Sequence, residues 1–239
     1  MQDSGQGDFL PLSSHTGHYS VAGLRESPFR YVEETVKNLR ASGVSVQGFH
    51  IEGYQGQYEI FLAPLPLMQA IDELVTAHDI IKGTLASHGL TATMFPKPIP
   101  DRSGSGAHIH ISMTDSSQQD SFLAGVLQQL PAVCALGLPY DYSYTRVQEL
   151  EAGNTVCWGT ENRGVPIRKI ENAHWEIRCA DATANMYLAV AAIIVAGLLG
   201  IQNKEILHWQ DVSGEKCADR SADAAEPLPE NLDQALKKL

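Results

Sequence analysis

Residues 97–113 read KPIPDRSGSGAHIHISM. Two prolines interrupt any regular element, Gly104 and Gly106 sit in a turn, and then the chain alternates strictly. A strand repeats every two residues. His108, His110 and Ser112 therefore share one face, and Ile109 and Ile111 share the other. The isoleucines read as core. The polar face requires another explanation, and the rest of the chain supplies it.

Two further stretches alternate in the same way. In GFHIEGYQGQYEI, residues 48–60, His50 and Glu52 share a face, as do Gln57 and Glu59. In HWEIRCAD, residues 174–181, His174, Glu176 and Arg178 oppose Trp175 and Ile177. One such strand describes a solvated sheet face. Three of them, with Glu and His in phase and glycine turns beside them, describe a site. Glu52, Glu59, His108 and Glu176 form a donor set for hard divalent cations. Carboxylates suit magnesium or manganese, and the imidazole favours manganese.

Arginine forms the second constellation. Arg146, Arg163, Arg168 and Arg178 all fall in the late loop and strand region. A guanidinium binds phosphate bidentately and stays charged at any working pH. Metal ligands, arginines and a glycine turn together point to phosphoryl transfer. No Walker A or Rossmann glycine pattern is present.

Around these strands the chain alternates helix and strand, an α+β pattern without internal repeats. Ser27 and Pro28 are placed to start a helix carrying Phe29, Val32, Val36 and Leu39. A second amphipathic helix is predicted over 67–87 and a third over 121–137, with Pro131 its weak point. TATMFPKPIP, residues 91–100, reads as a strand that proline ends, and 140–165 as loop. Asp181 or Thr183 is expected to cap a long apolar helix beginning near Ala184. LPENLDQALKKL at the end opens another helix.

Composition sets the outer limits. Apolar residues at 44% and charged residues at 19% suit a globular chain of 239 residues with a sizeable core. A net charge of −11 argues against nucleic acid or an anionic membrane as the main partner. Four cysteines without a C-x-x-C pair predict neither a zinc site nor a disulfide framework, which suits a reducing, cytoplasmic setting. The N-terminus lacks a signal-peptide pattern. The apolar run Tyr187–Ile201 reads as a buried helix, too short for a bilayer.

The motifs resemble those of glutamine synthetase. The Lys-Pro, Gly-Ser-Gly-x-His and following Ser of KPIPDRSGSGAHIHIS are similar to that family's ATP-region motif, with Ser103 where the family usually has Asn. HIEGYQGQYEI resembles the segment carrying two metal-binding glutamates. NRGVPIRKI and EIRCADATANMYLAVAAIIVAG resemble the later arginine and Glu-x-Arg segments. WGTENRGVPIRKI is similar to the fungal and bacterial side branches of the family.

The resemblance implies a glutamine synthetase/guanido kinase-like catalytic domain over 27–239, a curved antiparallel sheet with flanking helices, after a loop segment at 1–26. It implies that Glu52 and Glu59 bind one metal, and that His108 and Glu176 bind the metal of the nucleotide phosphates. It implies that His110 and Ser112 contact ATP, that Gly104 contacts glutamate through its backbone, and that Arg146 clamps the substrate carboxylate. Arg163, Arg168 and Arg178 correspond to the phosphate-stabilising arginines. The cofactors implied are ATP with magnesium or manganese, and the partners are glutamate with ammonia or an amine.

The implied chemistry is phosphorylation of the glutamate γ-carboxylate, then displacement of phosphate by the amine. The family's N-terminal β-grasp domain and one further glutamate per metal are expected to lie outside these residues. That leaves activity of the chain alone impaired and its oligomerisation weakened. Glu149 or Glu151 corresponds to the flap glutamate. Two alternatives stand beside this reading: a non-catalytic regulatory relative, and a γ-glutamyl ligase for an organic amine.

Overall fold

The computed structural model describes residues 1–3, 9–13, 19, 21–99, 104–148, 152–213 and 226–239. Glu149 and Glu151 lie outside them, as do Arg102 and Ser103. The chain divides into two compact units, Met1–Thr93 and Met94–Leu239.

In the first unit, β1 (Gln2–Asp3) pairs with β2 (Phe9–Leu10), and a short 3-10 turn covers Val21–Arg25. Then follow α1 (Phe29–Ala41), β3 (Val46–Ile51), β4 (Tyr58–Leu62) and α2 (Leu67–Ala86). Helix α1 forms on the predicted spacing, burying Val32, Val36 and Leu39. Its cap differs: Pro28 occupies that position with no side-chain hydrogen bond, because its ring already holds φ at −65°. The core gathers Val36, Leu39, Val44, Val46 and Ala77, under partly buried Phe49, Ile60 and Ile81. Strands β3 and β4 pair antiparallel, with an irregularity between Val46 and Gly48. The strand predicted at 91–100 does not form over 91–99. Prolines remove ladder donors there, and Thr91 exchanges its backbone hydrogen bonds with Met1.

The second unit contains β5 (Ile109–Ser112), α3 (Gln119–Gly137), α4 (Asp141–Arg146), β6 (Trp158–Thr160), β7 (Ile167–Glu171), β8 (His174–Ile177), α5 (Met186–Asn203) and α6 (Leu232–Leu236). The sheet order is β5-β8-β7-β6. The expected antiparallel pattern holds for β5–β8 and β8–β7, whereas β6 runs parallel to β7. The segment read as loop thus supplies both α4 and an edge strand.

Trp175 and Ile177 are buried on the helix side of the sheet, and Trp175 stacks on Phe122 of α3 at 5.6 Å between centroids. Helix α3 continues through Pro131. Helices α3 and α5 meet at glycines. A Cβ on Gly125 would lie 2.3 Å from the Ala196 carbonyl and 2.7 Å from the Gly200 Cα. Only glycine permits backbones this close.

Helix α5 starts at Asn185, which accepts hydrogen bonds from the amides of Tyr187 (3.1 Å) and Leu188 (3.4 Å), rather than at Asp181 or Thr183. Asp181 instead closes the preceding turn through the Thr183 amide, at 2.9 Å, and the Thr183 hydroxyl. The helix spans 18 residues, longer than the run read from sequence, and by length and composition it could cross a membrane. One side of it is buried, including Ala189, Val190, Ile193, Ala196 and Gly200.

The cysteine reading needs correction. Cys157 is disulfide-bonded, while Cys134 and Cys179 are free and buried. Long sequence separation hid the pairing.

Candidate active site

In the first unit the site is a hairpin. Strands β3 and β4 place His50 directly opposite Glu59, and the turn between them closes through Glu52 N to Gln57 O at 3.0 Å. Donor atoms of His50, Glu52 and Glu59 lie within 4.8 Å of one another. His50 Nε2 is 3.2 Å from Glu59 Oε2, and His50 Nδ1 is 3.0 Å from the Ile51 carbonyl. Both ring nitrogens therefore face acceptors. A neutral imidazole that donates from Nδ1 turns its Nε2 lone pair toward a carboxylate. A proton or a cation relieves that opposition. Glu52 accepts from the Tyr19 hydroxyl through Oε1 at 3.4 Å, while its Oε2 is buried without a hydrogen-bond partner. Three ligand atoms this close together, with an unsatisfied buried oxygen on Glu52, fit a divalent cation.

In the second unit the site is a row across the sheet. Register sets His110 opposite Glu176, and Glu176 opposite Arg168. Glu176 is 4% exposed. Its Oε1 meets Arg178 NH1 at 2.7 Å and His108 Nδ1 at 2.9 Å, and its Oε2 meets Arg168 NH1 at 3.1 Å. Arg168 also pairs with Glu161 at 2.5 Å. Burial opposes ionisation of Glu176. The hydrogen bond from His108 and the charge of Arg178 outweigh it and hold the carboxyl well below the carboxylate range. Both oxygens already have donors, so this carboxylate presents no free oxygen to a metal. Glu176 and His108 become a metal pair only if Arg178 and Arg168 turn toward another anion.

Arg146 is 1% exposed and lies behind this row. Its NH2 donates to the carbonyls of Arg178 (3.1 Å) and Ala180 (2.9 Å), tying the end of β8 to α4. A Cβ on Gly106 would lie 2.9 Å from Arg146 NH1 and 2.9 Å from His108 Nε2. The turn approaches both groups so closely that it excludes any side chain there. Arg163 is exposed in the loop after β6, and no ion pair holds it among the described residues. Gly104 is buried, and Ser112 is exposed on β5.

The sequence profile of the glutamine synthetase catalytic domain matches residues 13–239. The chain belongs to the glutamine synthetase family. It is 42% identical over 212 residues to Protein fluG of Emericella nidulans, covering 87% of this chain and 24% of that protein. It is 32% identical over 223 residues to a glutamate–isopropylamine ligase of a Pseudomonas species, covering 84% of this chain and 48% of that protein. A solved GmaS/ADP complex superposes with TM-score 0.88 at 25% identity, covering all of this chain and 60% of that one. The chain thus spans about half the length of the ligase it matches, and a quarter of fluG.

Within that family framework, the structure assembles His108, His110, Arg168, Glu176 and Arg178 in the second unit, and Glu52 with Glu59 in the first. It adds two residues that the sequence reading did not assign. His50 joins the carboxylates through strand register, which the shared face with Glu52 hinted at. Gly106 was quoted in the turn, but its contact with Arg146 needs a third dimension.

Proposed function

We propose that this chain is the catalytic portion of an ATP-dependent glutamate–amine ligase, forming a γ-glutamyl amide, ADP and phosphate from glutamate, ATP and ammonia or a small amine. The observation that carries the reading is the buried Glu176, clamped by Arg168, Arg178 and His108. The guanidinium groups of Arg168 on β7 and Arg178 just past β8 pair with Glu176, and by turning from it they would neutralise a phosphoryl group. His110 and Ser112, exposed on the same strand, are read as the nucleotide contacts.

ATP, with magnesium or manganese, supplies the phosphoryl group that activates the γ-carboxylate. His50, Glu52 and Glu59 are the residues that would hold the first metal. Arg146 positions the Arg178–Ala180 backbone, so its part is to fix the strand end that bears Arg178. An organic amine as acceptor draws support from the similarity to the isopropylamine ligase. Ammonia draws support from the family profile.

The test is a phosphate-release assay with manganese, ATP, glutamate and a panel of ammonia, methylamine and isopropylamine. Release should require glutamate and one amine, and Arg178→Ala should lower it on the order of a hundredfold. Release that is indifferent to glutamate, or unchanged in Arg178→Ala, would contradict the reading.

A further inference from the structure

Below the His110–Glu176–Arg168 row runs a second row, Ser112–His174–Glu171, on the same face of the sheet. His110 and His174 are diagonal neighbours across β5 and β8, a spacing that long side chains bridge. His110 Nδ1 lies 3.1 Å from His174 Nε2, and His174 Nδ1 lies 3.3 Å from Glu171 Oε1. The rings are 5.3 Å apart between centroids.

The tautomers follow from the chain of contacts. An ionised carboxylate only accepts, so His174 donates to it from Nδ1. In the neutral ring that leaves the His174 Nε2 lone pair facing His110, and His110 Nδ1 donates to it. From these contacts we propose that His110 and His174 form a chelate for a borderline transition-metal ion of the zinc class, with Glu171 orienting His174 from behind.

Three features carry this. First, zinc–nitrogen bonds are about 2.0–2.1 Å, so two imidazoles on one tetrahedral ion place their nitrogens about 3.3–3.4 Å apart. The observed 3.1 Å is a few tenths of an ångström short of that, so exchanging the shared proton for an ion requires a small separation and rotation of the two rings. Second, the Nδ1 of His174 faces a carboxylate, which leaves Nε2 as the ligating nitrogen of the neutral ring. That is the arrangement that fixes ring orientation and raises ligand basicity at zinc sites. His110 needs only to carry its single proton on Nε2 instead of Nδ1. Third, both ligands stand on neighbouring strands of one sheet, and the pair opens to solvent. The charges of the adjacent row are already spent, since Glu176 and Arg168 pair with each other. Imidazole donors select zinc, nickel or copper over magnesium. The site is therefore separate in kind from the oxygen-rich hairpin of the first unit; it shares His110 with the proposed nucleotide contacts, but its evidence does not rest on the ligase reading.

The test is long-range 1H–15N NMR of the histidine rings in the full chain, titrated with zinc chloride. Zinc should move His110 Nδ1 and His174 Nε2 to metal-bound shifts together, at one equivalent for the pair. Magnesium at the same concentration should move neither. His174→Ala should abolish the His110 response, and Glu171→Gln should weaken zinc at this pair by about 10–100-fold. Zinc leaving both rings unmoved would overturn the proposal without reference to any variant. So would an equal response to magnesium, or an undiminished His110 response in a folded His174→Ala protein.

Discussion

The two units handle negative charge in opposite ways. In the second unit, Glu176 is buried and completely answered by Arg168, Arg178 and His108. In the first, Glu59 is exposed, Glu52 keeps a buried oxygen without a partner, and His50 faces acceptors with both nitrogens. One site is self-neutralised and held by the fold. The other reaches electrostatic balance only with a cation or a proton. The same residue types, Glu and His on alternating strand positions, therefore do different work. The difference arises from the neighbours: Arg168 stands opposite Glu176, whereas His50 stands opposite Glu59 with Glu52 close by.

The largest expected effect comes from breaking the self-neutralised site. Glu176→Ala leaves two guanidinium groups without their carboxylate in a largely buried setting, and should cost about 3–5 kcal/mol of stability in urea denaturation. A loss under about 1 kcal/mol would show that water screens the cluster. Acid should dissect the same site. The folded-state carboxyl lies below its ordinary value of 4.5. Its contribution is complete above that pH and fades as the pH falls toward the folded value. Stability measured between pH 6 and pH 2 should therefore fall less steeply in Glu176→Gln than in the unmodified chain.

Manganese sharpens the contrast from the other side. At a hundred times its dissociation constant, an ion held only by the folded hairpin adds about 2.7 kcal/mol. Glu52→Ala should remove that gain in a thermal-shift titration. The smallest effect belongs to Glu59→Ala without metal. An exposed carboxylate whose local interaction is with an imidazole should change stability by no more than about 0.5 kcal/mol. A large loss there would mean that the hairpin, too, depends on its own ion pair.

The sequence conveyed local periodicity well and cross-strand geometry poorly. Ile109, Ile111, Trp175 and Ile177 declared the inner face by alternation alone, so β5 and β8 were legible. The family motifs then indicated which polar positions mattered. What escaped depended on partners distant in the chain. His50 acquires its place from register with Glu59, and His174 from its diagonal to His110. The Gly106–Arg146 approach likewise joins remote segments. Asn185 was missed because two earlier polar residues, Asp181 and Thr183, offered competing caps. The stretch at 91–99 was misread because β-branched residues suggested a strand while the prolines and the Met1 pairing decided otherwise.

Manganese binding followed by electron paramagnetic resonance tests the central contrast most directly. The first ion to bind should occupy the hairpin of the first unit. Glu52→Gln should weaken that binding at least about tenfold, in the range seen when a metal site loses part of its supporting shell. Glu176→Gln should leave it within about threefold, a difference of less than 1 kcal/mol. The reverse order, with Glu176→Gln abolishing the first manganese and Glu52→Gln leaving it in place, would contradict the account.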